Sequence, residues 1–157
     1  MVSSDFSDTA YSLLREELAR GNPITVSIGT SSMSPSIRPG DSVLVAPATP
    51  EGLRRGDLVL IDNGEAFIVH RLLAMKRGNG TGLALTRGDG VRRFDEPVPA
   101  DRIVGKVLKI HRANGVTDLS SPARRCGQRI TALYFLWQGY ALQAARKVKS
   151  LLGRGTE

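Results

Sequence analysis

Apolar and polar positions along this chain follow a helical rhythm at both ends and a strand rhythm between them. Residues 8 to 20 set Ala10, Tyr11, Leu14 and Leu18 at the spacing of one helix face, behind the capping candidates Ser7 and Asp8 and ahead of the stop Gly21-Asn22-Pro23. One short amphipathic helix is predicted. From Ile24 the apolar runs shorten to Ile24–Ile28, Ser42–Val45, Leu58–Ile61, Ala66–Leu73, Leu83–Thr86 and Ile103–Ile110, parted by Gly, Pro, Asp and Asn turns. Residues 24–112 therefore read as an antiparallel, largely β unit.

After Asp118 the helical rhythm returns, with Ser121 as cap and Pro122 at the favoured first position. Ile130 to Ala145 is a stretch of sixteen residues without a formal charge, rich in Leu, Tyr, Phe and Trp. At 1.5 Å per residue it reaches about 24 Å, short of the roughly 30 Å hydrocarbon core of a bilayer. Arg124, Arg125 and Arg129 precede it, and Arg146, Lys147 and Lys149 follow. Residues 122–152 thus suit a helix in the interface of an anionic membrane, or one packed on the β unit with solvated basic ends.

The pattern divides the chain into an N-terminal helix (1–23), a β domain (24–112) and a basic helical arm (113–157). A length of 157 residues with 41% hydrophobic and 24% charged positions suits one globular domain with a real core. A single cysteine, Cys126, rules out an internal disulfide, and His70 and His111 are too few for a zinc-finger pattern, so neither metal nor cofactor is expected. Charges at Asp5, Asp8, Arg15, Glu16, Glu17 and Arg20 deny the first thirty residues a secretory or spanning run. The expected location is peripheral to a membrane or cytoplasmic. A formal charge of +7 favours partners with negative surfaces without choosing among them.

Chemistry concentrates in Ile28-Gly29-Thr30-Ser31-Ser32-Met33-Ser34-Pro35-Ser36-Ile37-Arg38-Pro39-Gly40-Asp41. Taken alone, Pro39-Gly40-Asp41 is a turn and the serines are loop residues bonding to nearby backbone. Gly56-Asp57 followed by Leu58–Ile61 repeats the turn-then-strand form of Gly40-Asp41 and Ser42–Val45. Val69-His70-Arg71, Thr86-Arg87-Gly88-Asp89-Gly90, Phe94-Asp95-Glu96-Pro97 and Ile103–Val107 complete the series. In this order the segments resemble the signal peptidase family of serine proteases, over roughly residues 24–110.

The resemblance implies that the serine before the methionine, Ser32, is the nucleophile, with Ser31 as a control position. His70 stands where the bacterial housekeeping branch has lysine, and His-Arg there resembles the archaeal and endoplasmic-reticulum branch, so imidazole is the implied base. By offset from Gly88-Asp89, the implied supporting acid is Asp95, with Asp89 as fallback. Gly90, where asparagine is common, and Arg92-Arg93 depart from the family pattern. Thr30 is the implied oxyanion donor, while Met33 and Pro35 shape the loop.

The chemistry of such a set is coherent. A serine hydroxyl is a poor nucleophile until an adjacent base takes its proton, and histidine does this near neutrality with less desolvation than lysine needs. A carboxylate on the other ring nitrogen sets the tautomer and stabilises the imidazolium. Asp41 and Asp57 read as self-bonded turn residues, Arg71 as a partner for one of them, and His111 and Cys126 as structural.

The resemblance implies a mainly β (β-rich α+β) fold of coiled antiparallel sheets of the signal peptidase and repressor-protease type, flanked by the N-terminal helix and the C-terminal helical arm. It also implies an endopeptidase that cuts signal or leader peptides from precursor proteins after small residues. The rival is a repressor-like or inactive module that binds nucleic acid or another protein. Nucleic acid is the weaker expectation, because the related repressors use a lysine base and residues 1–23 offer one helix rather than a helix-turn-helix.

Overall fold

The computed structural model describes residues 4–76 and 82–152, with side chains over 9–76 and 82–144. The side chains of Ser7, Asp8, Arg146, Lys147 and Lys149 lie outside the described residues. Helix α1 spans Ser4–Ala19 and begins before Ser7 and Asp8, so those residues sit inside the helix rather than capping it. Its stripe is used as expected: Leu18 is buried, Leu14 packs beside it, and Tyr11 stacks on Phe67 with ring centroids 4.9 Å apart. The helix stops at Gly21, whose φ of 90° only glycine adopts cheaply.

The strands are β1 (Ile24–Ser27), β2 (Ser42–Pro47), β3 (Leu58–Asp62), β4 (Phe67–Lys76), β5 (Leu83–Arg87), β6 (Val98–Pro99), β7 (Ile103–Arg112) and β8 (Gly115–Asp118). They form one curled antiparallel sheet in the order β1-β2-β7-β3-β4-β5-β6, with β8 on β7. The expectation of several sheets gives way to a single one, since β7 joins β2 to β3 across its centre. The sheet also runs past residue 112 through β8. Helix α2 (Pro122–Leu152) is 31 residues long, and with α1 it gives the expected α+β arrangement of an antiparallel β unit between an N-terminal helix and a C-terminal helical arm.

Period-two alternation builds the core on both sides of the sheet. Leu58 and Leu60 join Val43, Val45, Met33 and Ile37 in one cluster, while Val59 and Ile61 join Leu72, Ala84 and Ile103 in another. Strand β3 is therefore buried along its whole length, which explains why its sequence is a run of apolar residues rather than an alternation. Each such side chain contributes roughly 1.5–3 kcal/mol of burial.

The two Gly-Asp turns are alike in detail. Gly40 and Gly56 take φ of 91° and 96°, and each following carboxylate accepts from the amide three residues back. Arg38 donates to Asp41 at 2.9 Å and Arg54 to Asp57 at 2.8 Å. Both aspartates are thus local turn residues, as their sequence suggests, with Lys106 pairing Asp57 at 2.8 Å and Arg112 lying 3.5 Å from Asp41. Among the described residues no helix is long and apolar enough to cross a membrane.

Candidate active site

The loop between β1 and β2 is closed at its base by paired backbone bonds, Ile28 N–H to Asp41 at 2.9 Å and Gly40 N–H to Ile28 at 2.8 Å. Met33 and Ile37 are plugged into the core beneath it, at 1% and 0% exposure. An apolar anchor one residue after Ser32 holds that serine at the loop surface. Ser32 is half-buried while Ser31 and Thr30 are exposed, and Thr30 Oγ1 lies 3.3 Å from Ser32 Oγ. Pro35, joined by a cis peptide to Ser34, is exposed.

His70 lies in β4 opposite Val59 of β3. Its Nδ1 is 2.6 Å from Asp95 Oδ2, and Thr86 Oγ1 donates to the same oxygen at 2.8 Å. Asp95 N–H donates in turn to the Thr86 carbonyl at 3.0 Å, so backbone and side chain of the acid are both held by β5. Burial pushes the Asp95 carboxyl up, but hydrogen bonds from His70 and Thr86, with the charges of His70 and Arg87, hold it below the ordinary aspartate value. In the tautomer whose Nδ1–H donates to the carboxylate, Nε2 is the ring nitrogen left to accept a proton.

Gly88 shows where that nitrogen sits. A Cβ on Gly88 would lie 2.5 Å from the Ser32 carbonyl oxygen and 3.1 Å from His70 Nε2. Those two atoms are therefore no farther apart than these distances laid end to end. The Gly90 amide donates to the same Ser32 carbonyl at 2.8 Å, tying the serine loop to the loop that carries the acids. Among the described residues no hydrogen bond joins Ser32 Oγ to His70, so the serine faces Thr30 in this conformation.

Asp89 is committed elsewhere. It takes a two-pronged bond from Arg71, at 2.8 Å from Nε and 2.6 Å from Nη2, and a further one from Ser36 Oγ. Arg71 and Asp89 are both almost fully buried. The expectation that Arg71 pairs with Asp41 or Asp57 is therefore corrected, because those carboxylates are used by their own turns and β4 runs Arg71 alongside Arg87, next to Asp89. Arg71 Nη1 also donates to Gly56 at 3.0 Å, which links the second Gly-Asp turn to the acid loop. His111 pairs with Val116 between β7 and β8, and Cys126 is exposed on α2; neither joins the His70 cluster.

Sequence reasoning missed what holds this cluster from behind. Arg87, 2% exposed, lies over the Phe135 ring at 4.2 Å and donates to Gln138 at 2.9 Å and to the Val91 carbonyl. Phe94, the neighbour of Asp95, points its ring edge at Gly139 of α2, where a Cβ would lie 2.0 Å from Phe94 Cζ. Phe94 and Tyr140 meet edge to face at 5.7 Å. Helix α2 is thus keyed against the segment that carries both acids. A glycine amid an apolar helical run was the one visible signal of this notch.

A cleft of about 140 Å³ opens beside Ser32, lined by Val26, Ile28, Met33, Phe67 and Val69 among others. A larger cavity, about 790 Å³, lies between α1 and residues 47–50 and 101–104 and includes no member of the Ser32 group. Among the described residues no cluster of three or more His, Cys, Asp or Glu could hold a metal ion. Compared with protein-family models the chain matches none, and the curated proteins return no match.

Proposed function

We propose that this chain is a serine endopeptidase of the signal peptidase type, cutting signal or leader peptides from precursor proteins. The observation that carries the reading is the imidazole of His70, bound to Asp95 through Nδ1 at 2.6 Å and presenting Nε2 beside the Ser32 loop. Ser32 Oγ attacks the scissile carbonyl as Nε2 takes its proton. The imidazolium formed is stabilised by the Asp95 carboxylate, then gives its proton to the leaving amine, and water repeats the cycle on the acyl-enzyme. Thr30 Oγ1, 3.3 Å from the nucleophile's oxygen, is the hydroxyl suited to the developing oxyanion.

The fold belonging to this reading is that of the signal peptidase and repressor-protease group, whose motif order the chain resembles. The size of the cleft beside Ser32 supports a small apolar side chain on the acyl side of the cut. Its volume of about 140 Å³ is well below that of an ordinary ligand pocket. Incubating a peptide library of Ala-x-Ala sites with wild type, Ser31→Ala, Ser32→Ala and His70→Ala tests the assignment. Hydrolysis should persist in Ser31→Ala and disappear in the other two variants. Activity surviving in Ser32→Ala would sink it.

A further inference from the structure

Another cavity, with a chemistry of its own, lies beside the first turns of α2. It holds about 220 Å³ and is walled by Arg54, Arg55 and Asp57 from the turn before β3, Lys106 from β7, and Arg125 and Arg129 from α2. All of these side chains except Asp57 are cations. The helix is pressed onto the turn, since a Cβ on Gly56 would stand 2.7 Å from the carbonyl carbon and oxygen of Gln128 and 2.8 Å from the Arg129 nitrogen. Backbone packing thus brings the cations of three separate segments around one cavity.

The one carboxylate in the wall is already engaged. Asp57 Oδ2 accepts from the Arg54 amide at 2.8 Å and from Lys106 Nζ at 2.8 Å, and its side chain is 6% exposed. Asp57 and Lys106 therefore form a neutral pair. Arg55 Nε donates to the Leu73 carbonyl at 2.9 Å, a neutral partner that fixes the guanidinium without answering its charge. Arg54, Arg125 and Arg129 are exposed. Even when exposed Glu51 and exposed Asp118, whose carboxylate feels Arg125, are added, five cations face three carboxylates. A surplus of two positive charges remains.

The chemistry of the wall names what answers that surplus. Guanidinium forks match the oxygens of a phosphate group, and a phosphate monoester carries about two negative charges at neutral pH. The cavity is smaller than an ordinary ligand pocket, which suits a small anion. We infer that it is a binding site for a dianionic phosphate group, free or at the end of a small monoester, which bridges α2 to the β3 turn and to β7. The site stands apart from the serine peptidase reading and does not rest on it.

The full-length protein is titrated calorimetrically with inorganic phosphate, with glycerol phosphate and with polyglutamate, in chloride buffers of equal ionic strength. Saturable binding of one phosphate per chain is expected, and the tighter of the first two ligands tells whether the site takes the free anion or a monoester. Arg54→Gln and Arg129→Gln should each weaken binding about tenfold. Arg38→Gln, at the other Gly-Asp turn and outside the cavity, should leave it unchanged. All three arginines are exposed, and circular dichroism will show each variant folded. Phosphate at about ten times its dissociation constant should raise the unfolding temperature by about 4 °C in wild type and about 1 °C in Arg129→Gln. Three results would overturn the inference: no saturable binding of either phosphate, an equal loss in Arg38→Gln, or binding of polyglutamate without binding of phosphate, which would give the cavity to an acidic peptide.

Discussion

Replacing Gly139 by alanine tests whether α2 holds the acid loop in place. The new Cβ would lie 2.0 Å from Phe94 Cζ and 2.5 and 2.6 Å from the flanking ring carbons. Carbon atoms rest comfortably near 3.5 Å, so the ring must withdraw by about 1.5 Å. Overpacking of this kind costs about 1–3 kcal/mol. Alanine regains about 1 kcal/mol of helix propensity, so the net loss of stability should be about 0–2 kcal/mol.

Activity should respond more strongly. Phe94 is the residue before Asp95, whose carboxylate is 2.6 Å from His70 Nδ1, and a misplacement near 1 Å in such a constellation can cost about 100-fold. Urea unfolding and kcat/KM are measured for wild type, Gly139→Ala, Phe94→Leu and the double variant. With Phe94 shortened, Gly139→Ala should change sign and stabilise by up to about 1 kcal/mol, because only the propensity gain is left. The downfield Nδ1 proton resonance of His70 should fade in Gly139→Ala and return in the double variant. Additive losses in the double variant, or wild-type activity in Gly139→Ala, would refute the coupling between α2 and the acid.

The two acids should separate cleanly. Asp95→Asn should lower kcat by up to about 10⁴-fold, losing in stability only what its depressed carboxyl contributes. Asp89→Asn, which leaves buried Arg71 without its charge partner, should instead destabilise by about 3–5 kcal/mol in urea unfolding. Thr30→Val should lower kcat about 10²–10³-fold in peptide hydrolysis, with the fold unchanged. The Asp95 carboxyl is held below its ordinary value of 3.8, so its contribution to stability is complete above that pH. It should be lost as pH falls through the lower folded value, and acid unfolding of Asp95→Asn should lack that component.

Local chemistry was legible in the sequence because its causes lie within a few residues. Gly40-Asp41 and Gly56-Asp57 are turns whose carboxylates bond three residues back, and the strand runs and the α1 stripe follow from periodicity and apolar spacing. The start of α1 was misplaced because Ser7 and Asp8 are good caps wherever they occur, while the actual first turn is set by where the chain begins its helical bonding.

Which acid meets His70 lay beyond any local rule. Asp89 and Asp95 share one loop, and the register that sets Arg71 beside Arg87 gives Arg71 to Asp89, leaving Asp95 for the imidazole. The same holds for Gly88 and Gly139. Each is required by an atom far away in sequence, the Ser32 carbonyl in one case and the Phe94 ring in the other. The sequence by itself determined turns, strands, helices and the residue types available for chemistry, since backbone dihedrals and amphipathic periods are short-range. Tertiary structure alone decided the partnerships, because strand register and helix packing choose among carboxylates that are locally equivalent.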